Sequence, residues 1–238
     1  LIRLATIDAP VEGEPGKVYS TSPEIAMGED GKTYFIKGRN EATAFSEVAG
    51  CRLASAAGLK VPSAHIGIYG DDRYAAVEAV PGTQRTIQPW LNHPERIRNQ
   101  SHLYEVITVD TWLVNDDRIM GNLVGGNPKD GSIDVYMIDF EKSRSLHTNP
   151  FMGSGSVEPR RLWPTAELGQ LLRSGRPSTR PTEILVRVRG LSKQQIEEML
   201  REVAEDLPLA TWYESSAELL HRRAQELDRL VEAVWQAK

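Results

Sequence analysis

Nine residues, Val114 to Asn122 (VNDDRIMGN), constrain this chain more than any other stretch. They set Asp117 five positions before Asn122, and seventeen positions further on an apolar run, Val135 to Ile138, ends at Asp139. A fold that uses this pattern must bring a loop and a strand end to one place. One carboxylate can then orient a hydroxyl while an amide and a second carboxylate hold magnesium, the set that phosphoryl transfer from ATP asks of a protein. Asp116 is the competing carboxylate, and a solvated turn accounts for either aspartate alone. The spacing to Asn122 favours Asp117. Upstream, Lys37 ends the apolar strand YFIK, from which an ammonium can reach the α- and β-phosphates.

At 238 residues the chain can bury one large core or two small lobes around a cleft. A hydrophobic share of 40% and a charged share of 26% are ordinary for a soluble globular protein. The net charge of −5 argues against a general nucleic-acid binder. No apolar run approaches the roughly 18 residues of a membrane span. The single cysteine, Cys51, excludes an internal disulfide and fits a reducing compartment. With no basic-then-apolar leader pattern at the start, the expected location is cytoplasmic. The chain opens on Leu1 rather than Met, so the expectation allows for preceding residues. Five scattered histidines lack HExxH or Cys/His spacing and argue against zinc.

Two regions of different character follow one another. Residues 1–83 read as strands with one helix: EIAM and TYFIKG flank a Gly/Asp turn as a hairpin. A helix is expected from about Asn40 to Ala57, with Asn40 as N-cap, Glu41 in the first turn and Gly58 closing it. Two more strands, AHIGIY and RYAAVEAV, follow, and Pro81-Gly82 marks the boundary. Residues 84–238 read as mainly helical, with a buried stripe of Leu103, Val106, Ile107, Leu113 and Val114 leading into the Asp117 loop. Short strands around 122–124 and 133–138 are expected to bracket the turn GGNPKDGS, and 141–164 reads as a long loop. Three helices are expected after it: one from Thr165 to Gly175, one opened by a Ser192/Gln195 capping box, and a last one from about Ser216. The expected class is α+β, two-lobed, with a small mostly β N-lobe carrying one helix and a larger mainly helical C-lobe.

Glu47 strengthens the case for Lys37. It shares a helix face with Gly50, Cys51, Ala54 and Gly58, small residues that suggest close packing, and a buried carboxylate needs a cation or donors. Lys37 is the natural partner, with Arg39 and Arg52 as competitors. Ser20, Thr21 and Ser22 offer hydroxyls and N–H groups to phosphate, although a simple turn before Pro23 explains them equally. Glu78 and Val80 fall where a lobe connection would present backbone groups to adenine. Arg118 either pairs with a carboxylate, approaches the transferred group or lies at the surface. His147, Arg160 and Arg161 read as solvated surface.

Taken together, FIKGRN, SEVAGCRLASAAGLKVP, NDDRIMGN and MIDF resemble the HipA-like branch of the atypical kinase superfamily, and most strongly its compact bacterial domains. LSKQQIEEMLREVAEDLP is similar too, so the resemblance spans roughly residues 18–235. It implies a two-lobed protein-kinase-like fold that uses ATP and Mg2+. Lys37 would bind phosphate and pair with Glu47, Asp117 would be the catalytic base, and Asn122 and Asp139 would bind the metal. NDDRIMGN and MIDF also look like the DRHxxN and IDFG elements of phosphatidylinositol kinases, with Ile119 in place of the histidine and Glu141 in place of the glycine. Neither HRD nor APE is present.

The leading expectation is therefore an ATP-dependent kinase acting on a hydroxyl, with a protein Ser/Thr as the first choice of partner. Ser20, Thr21, Ser22, Ser143, Ser145 and Thr148 are the candidates for self-phosphorylation. A small-molecule or lipid-headgroup acceptor is the alternative within the same chemistry. A nucleotide-binding interaction module without turnover is the alternative of another class, and AMP transfer by a reversed nucleotide is a fourth. Oligomeric state is not legible in the sequence.

Overall fold

Strand alternation and turn chemistry build the first part of the chain. The computed structural model describes residues 1–8, 24–37, 40–83, 87–146, 162, 182–207 and 212–237. Strands β1 (Ile2–Ile7), β2 (Glu24–Gly28), β3 (Thr33–Lys37), β4 (Ala64–Tyr69) and β5 (Asp72–Glu78) close into a barrel of order β1-β2-β3-β5-β4. Its β2–β3 hairpin pairs Ala26 with Tyr34. Gly31 takes φ +77° in the turn, and Asp30 accepts from Lys32 N–H at 3.1 Å and from the Tyr34 hydroxyl at 2.7 Å.

The expected hairpin and the two later strands are all present, but β1 and the closure of the barrel were not foreseen. IRLATI buries only Leu4 well, so its own pattern is a weak strand signal. It is held by antiparallel pairing to β2 and parallel pairing to β4. Side-chain alternation then divides the barrel's two surfaces. Leu4, Ala26, Tyr34, Ile36, Tyr74 and Ala76 fill a small core of their own, while Ala64, Ile66, Ala75 and Val77 join the main core.

Helix α1 (Glu41–Ala56) lies against β4 and β5. Asn40 caps it by accepting from Thr43 N–H at 2.9 Å, and Gly58 follows its end at φ +96°. Every residue from Ala44 to Cys51 is buried. At Gly50 a Cβ would stand 2.4 Å from the Phe140 Cβ, so only glycine lets that ring approach so closely.

Past a short α2 (Gln88–Leu91), α3 (His102–Leu113) is buried from Leu103 to its last residue and ends on Val114 in the left-handed region, φ 57°. The hairpin that follows is longer than expected. β6 (Leu123–Lys129) pairs with β7 (Ser132–Met137), so Gly125 to Lys129 belong to a strand and the turn shrinks to Asp130 and Gly131, both at positive φ. Pro128 is tolerated there because the register shifts between Gly126 and Lys129.

Four helices occupy the described C-terminal residues: α4 (Thr182–Gly190), α5 (Lys193–Ala204), α6 (Tyr213–Gln225) and α7 (Leu227–Gln236). The Ser192/Gln195 capping box opens α5. α4 was not expected, and the single last helix is two helices broken at Glu226. The helix expected at 165–175 lies outside the described residues. One hydrophobic cluster runs from α1 through α3 to Trp235. No described helix is long and apolar enough to cross a membrane.

Candidate active site

Lys37 is the last residue of β3, where alternation places it opposite the barrel-filling Tyr34 and Ile36 and toward α1. Its Nζ stands 3.4 Å from Glu47 Oε1 and 3.1 Å from Asp139 Oδ1. Glu47 is fully buried, and its other oxygen accepts the Phe140 N–H at 2.6 Å. Both carboxylate oxygens are thus satisfied, as burial requires. Burial works against the Lys37 charge, but Glu47, Asp139 and Glu141 outweigh it and hold the ammonium above the usual lysine range. Of the competing cations, Arg52 engages Glu202 at 2.9 Å, and Arg39 lies outside the described residues. Cys51 is buried, as a small core residue should be, and burial raises its thiol well above the ordinary range.

The loop after α3 is organised from within. Arg118 is 1% exposed, so it neither lies at the surface nor reaches a transferred group. Its Nε and Nη2 donate to the two oxygens of Asp110 at 2.8 and 2.9 Å, and Nη1 donates to Ile138 O at 2.6 Å and Asn122 O at 3.3 Å. The guanidinium also lies 5.1 Å over the Phe140 ring. Asn115 donates to Asp110 Oδ1 at 3.0 Å and to Asp139 O at 3.4 Å. One buried network therefore grips both the loop and the end of β7.

That network brings the two candidate metal-binding positions together. Ile138 N–H donates to Asn122 O at 3.0 Å, and Asp139 is the next residue. Asp139 turns the chain at φ 69°, a conformation Asp adopts more readily than most residues. Asn122 spends its Nδ2 on Asp117 O at 2.9 Å, which leaves its amide oxygen as the donor for a cation. The Asp117 carboxylate meets Lys142 Nζ at 2.7 Å, whereas Asp116 pairs with Arg144. Glu141, half-buried, is raised by its burial and then by the charge of Asp139. Among the described residues no three His, Cys, Asp or Glu side chains gather as a metal cluster. One amide and one carboxylate suit magnesium, which keeps waters and takes phosphate oxygens for its remaining positions.

Other expected positions have contacts of their own. Glu78 directs its carboxylate to Lys32 at 2.9 Å and its N–H to Ser63 O at 2.8 Å. Val80 is buried, and its carbonyl accepts from the Thr83 hydroxyl. Ser143 and Ser145 are fully buried, with Ser145 Oγ donating to Leu113 O at 2.6 Å, which corrects their candidacy as self-phosphorylation sites: neither hydroxyl is open to a phosphoryl donor. Ser20, Thr21, Ser22, His147, Thr148, Arg160 and Arg161 lie outside the described residues. Sequence reasoning missed Asp110, Asn115, Glu141 and Lys142. A charged residue inside the apolar run VITVDTWLVN was the available signal for Asp110, because burial there demands a partner.

No known family model matches this sequence, and no curated protein matches it either. Among solved structures, the chain is similar to the Helicobacter pylori proinflammatory kinase CtkA, with a TM-score of 0.50 and 13% identity over 90% of this chain and 94% of that one. A chain of the Shewanella oneidensis MR-1 complex of HipA, HipB and operator DNA gives a TM-score of 0.49 and 13% identity over 85% of this chain and 59% of that one. At such identity the likeness to the first is one of fold: a mixed α+β arrangement with a β-rich first part and a helical second part.

Proposed function

We propose that this chain is an ATP- and Mg2+-dependent kinase of the HipA-like kind that moves the γ-phosphoryl group to a hydroxyl, with protein Ser or Thr as the acceptor. The observation that carries the reading is Lys37, held between buried Glu47 and Asp139 while Asp139 follows the residue bonded to Asn122 O. In this reading residues 1–83 and 84–238 are the two lobes. Lys37 binds phosphate oxygens as a point charge, and Glu47 keeps the ammonium in place. Asn122 and Asp139 hold Mg2+, which when bound offsets the charge developing on the phosphoryl oxygens. Asp117 orients the acceptor hydroxyl and takes its proton as the hydroxyl oxygen bonds to the γ-phosphorus. The bond to the β,γ-bridging oxygen breaks, and its electron pair leaves with ADP. Ser20, Thr21 and Ser22 remain the candidates for cupping phosphate. Adenine would use the main chain near Val80 rather than the Glu78 N–H, which is committed to Ser63. Ile119, 41% exposed and two residues from Asp117, offers an apolar lip suited to a polypeptide more than to a poly-hydroxyl ligand.

Purified protein should consume ATP only with a divalent cation, and Asp139→Asn should abolish this. Asp117→Ala should slow turnover by roughly 10²–10⁴ without weakening nucleotide binding. Undiminished ATP turnover in Asp139→Asn would remove the metal assignment and with it the reading.

A further inference from the structure

Lys142 occupies a position that the reading above does not use. It lies three residues past Asp139, and its Nζ rests 2.7 Å from Asp117 Oδ2, with the lysine 46% and the aspartate 35% exposed. An ion pair this open contributes little to stability, so the lysine can change partners at small cost. The Asp117 hydrogen bond first, then the charges of Asp117, Asp139 and Glu141, keep its ammonium charged above the usual lysine range.

The surroundings show what that charge is for. Glu47, Asp117, Asp139 and Glu141 place four carboxylates around the site. A triphosphate entering it adds more negative charge. Lys37 is already shared between Glu47 and Asp139. Within the loop the two residues after Asp117 supply no cation to the site: Arg118 is consumed in the interior by Asp110, Ile138 O and Asn122 O, and Ile119 is apolar. Arg144 is engaged by Asp116. Lys142 is the cation beside the carboxylate at which the acceptor hydroxyl would arrive.

We infer that Lys142 is the cation that meets the γ-phosphoryl group, leaving Asp117 when a triphosphate binds and so freeing that carboxylate for the hydroxyl. The segment that carries Asp139 thus also carries the charge that follows the phosphoryl group. As the acceptor oxygen bonds to phosphorus and the bridging oxygen departs with ADP, Lys142 donates to the non-bridging oxygens and the hydroxyl proton goes to Asp117. The inference rests on the phosphotransferase reading and adds a residue to it.

Equilibrium binding of Mg-ATP and Mg-ADP to the intact chain tests it without relying on turnover. Wild type should prefer Mg-ATP over Mg-ADP, and Lys142→Met should erase about tenfold of that preference while binding Mg-ADP as before. Lys142→Arg should retain most of it. Asp117→Asn removes the competing partner and should tighten Mg-ATP several-fold, a gain absent from the Lys142→Met/Asp117→Asn double variant. In a turnover assay, Lys142→Met should lower kcat by at least tenfold and more than it raises KM for ATP. If Lys142→Met leaves the ATP/ADP ratio and kcat at wild-type values, the inference fails and the kinase reading stands. If wild type binds neither nucleotide with Mg2+, both fall.

Discussion

Arg118 is the residue whose chemistry and surroundings are most tightly coupled. Five donors in a rigid fork let one side chain satisfy Asp110 and two main-chain carbonyls at once, which a lysine cannot do. Breaking a buried pair strands the remaining charge, so Arg118→Met should cost about 3–5 kcal/mol in urea unfolding. The double variant Arg118→Met/Asp110→Leu should recover most of that stability, because a well-packed apolar pair often replaces a buried ion pair without loss. It should not recover ATP turnover, since Ile138 O then loses its arginine donor and Asn122 O keeps only the Ile138 N–H. Turnover restored together with stability would mean that the arginine serves folding only.

At the scale of elements, the contact between α1 and the turn after β7 decides whether Lys37, Glu47 and Asp139 meet. Phe140 fits against Gly50, and its N–H reaches Glu47. Gly50→Ala would gain up to about 1 kcal/mol in helix propensity, but overpacking of this kind costs about 1–3 kcal/mol, and the added methyl must push the ring away. The expected result is a net loss in thermal stability together with reduced ATP turnover. A variant more stable than wild type with unchanged turnover would show that the close approach is incidental.

Legibility in the sequence follows the same elements. The capped helix α1 and the hairpin before it were readable because Asn40, Gly58 and the Gly/Asp turn act locally. β1 was not, because IRLATI becomes a strand only through pairing with β2 and β4, contacts remote in sequence. The break at Glu226 escaped because apolar residues continue on both sides of it. Lys37, Glu47, Asn122 and Asp139 could be picked out by type and spacing. Lys142 could not, since its significance lies in what it touches, and Asp110 was marked only by its charge within an apolar run.

For the whole molecule, Asp134 ties distant segments together. This β7 residue accepts from Lys60 at 2.6 Å and Arg98 at 2.9 Å, and the Lys60 carbonyl accepts from Met137 N–H at 2.9 Å. Burial works against its charge, but the hydrogen bonds from Arg98, Lys60 and Asn127 prevail and lower it to about 2. A carboxyl depressed on folding stabilises fully above its unfolded value near 4 and loses that contribution as pH falls through 2, an effect of about 2 kcal/mol here. Asp134→Asn should therefore flatten the fall in stability between pH 4 and 2, measured by urea midpoints at each pH, and should be less stable than wild type at neutral pH. An unchanged acid slope would locate that sensitivity in other carboxylates.

Closure of the five-stranded barrel has a further consequence for recruitment. A ring of strands paired on both flanks offers a visiting polypeptide no vacant rim on which to add itself as another strand. Of the β6–β7 pair, the β7 side is already occupied by Asn99 and Arg98, which bond to Val135 and Ile133. Main-chain templating on the barrel and on the β7 side is thus foreclosed, and selection among visitors there would fall to side chains, exposed Ile119, two residues from Asp117, among them.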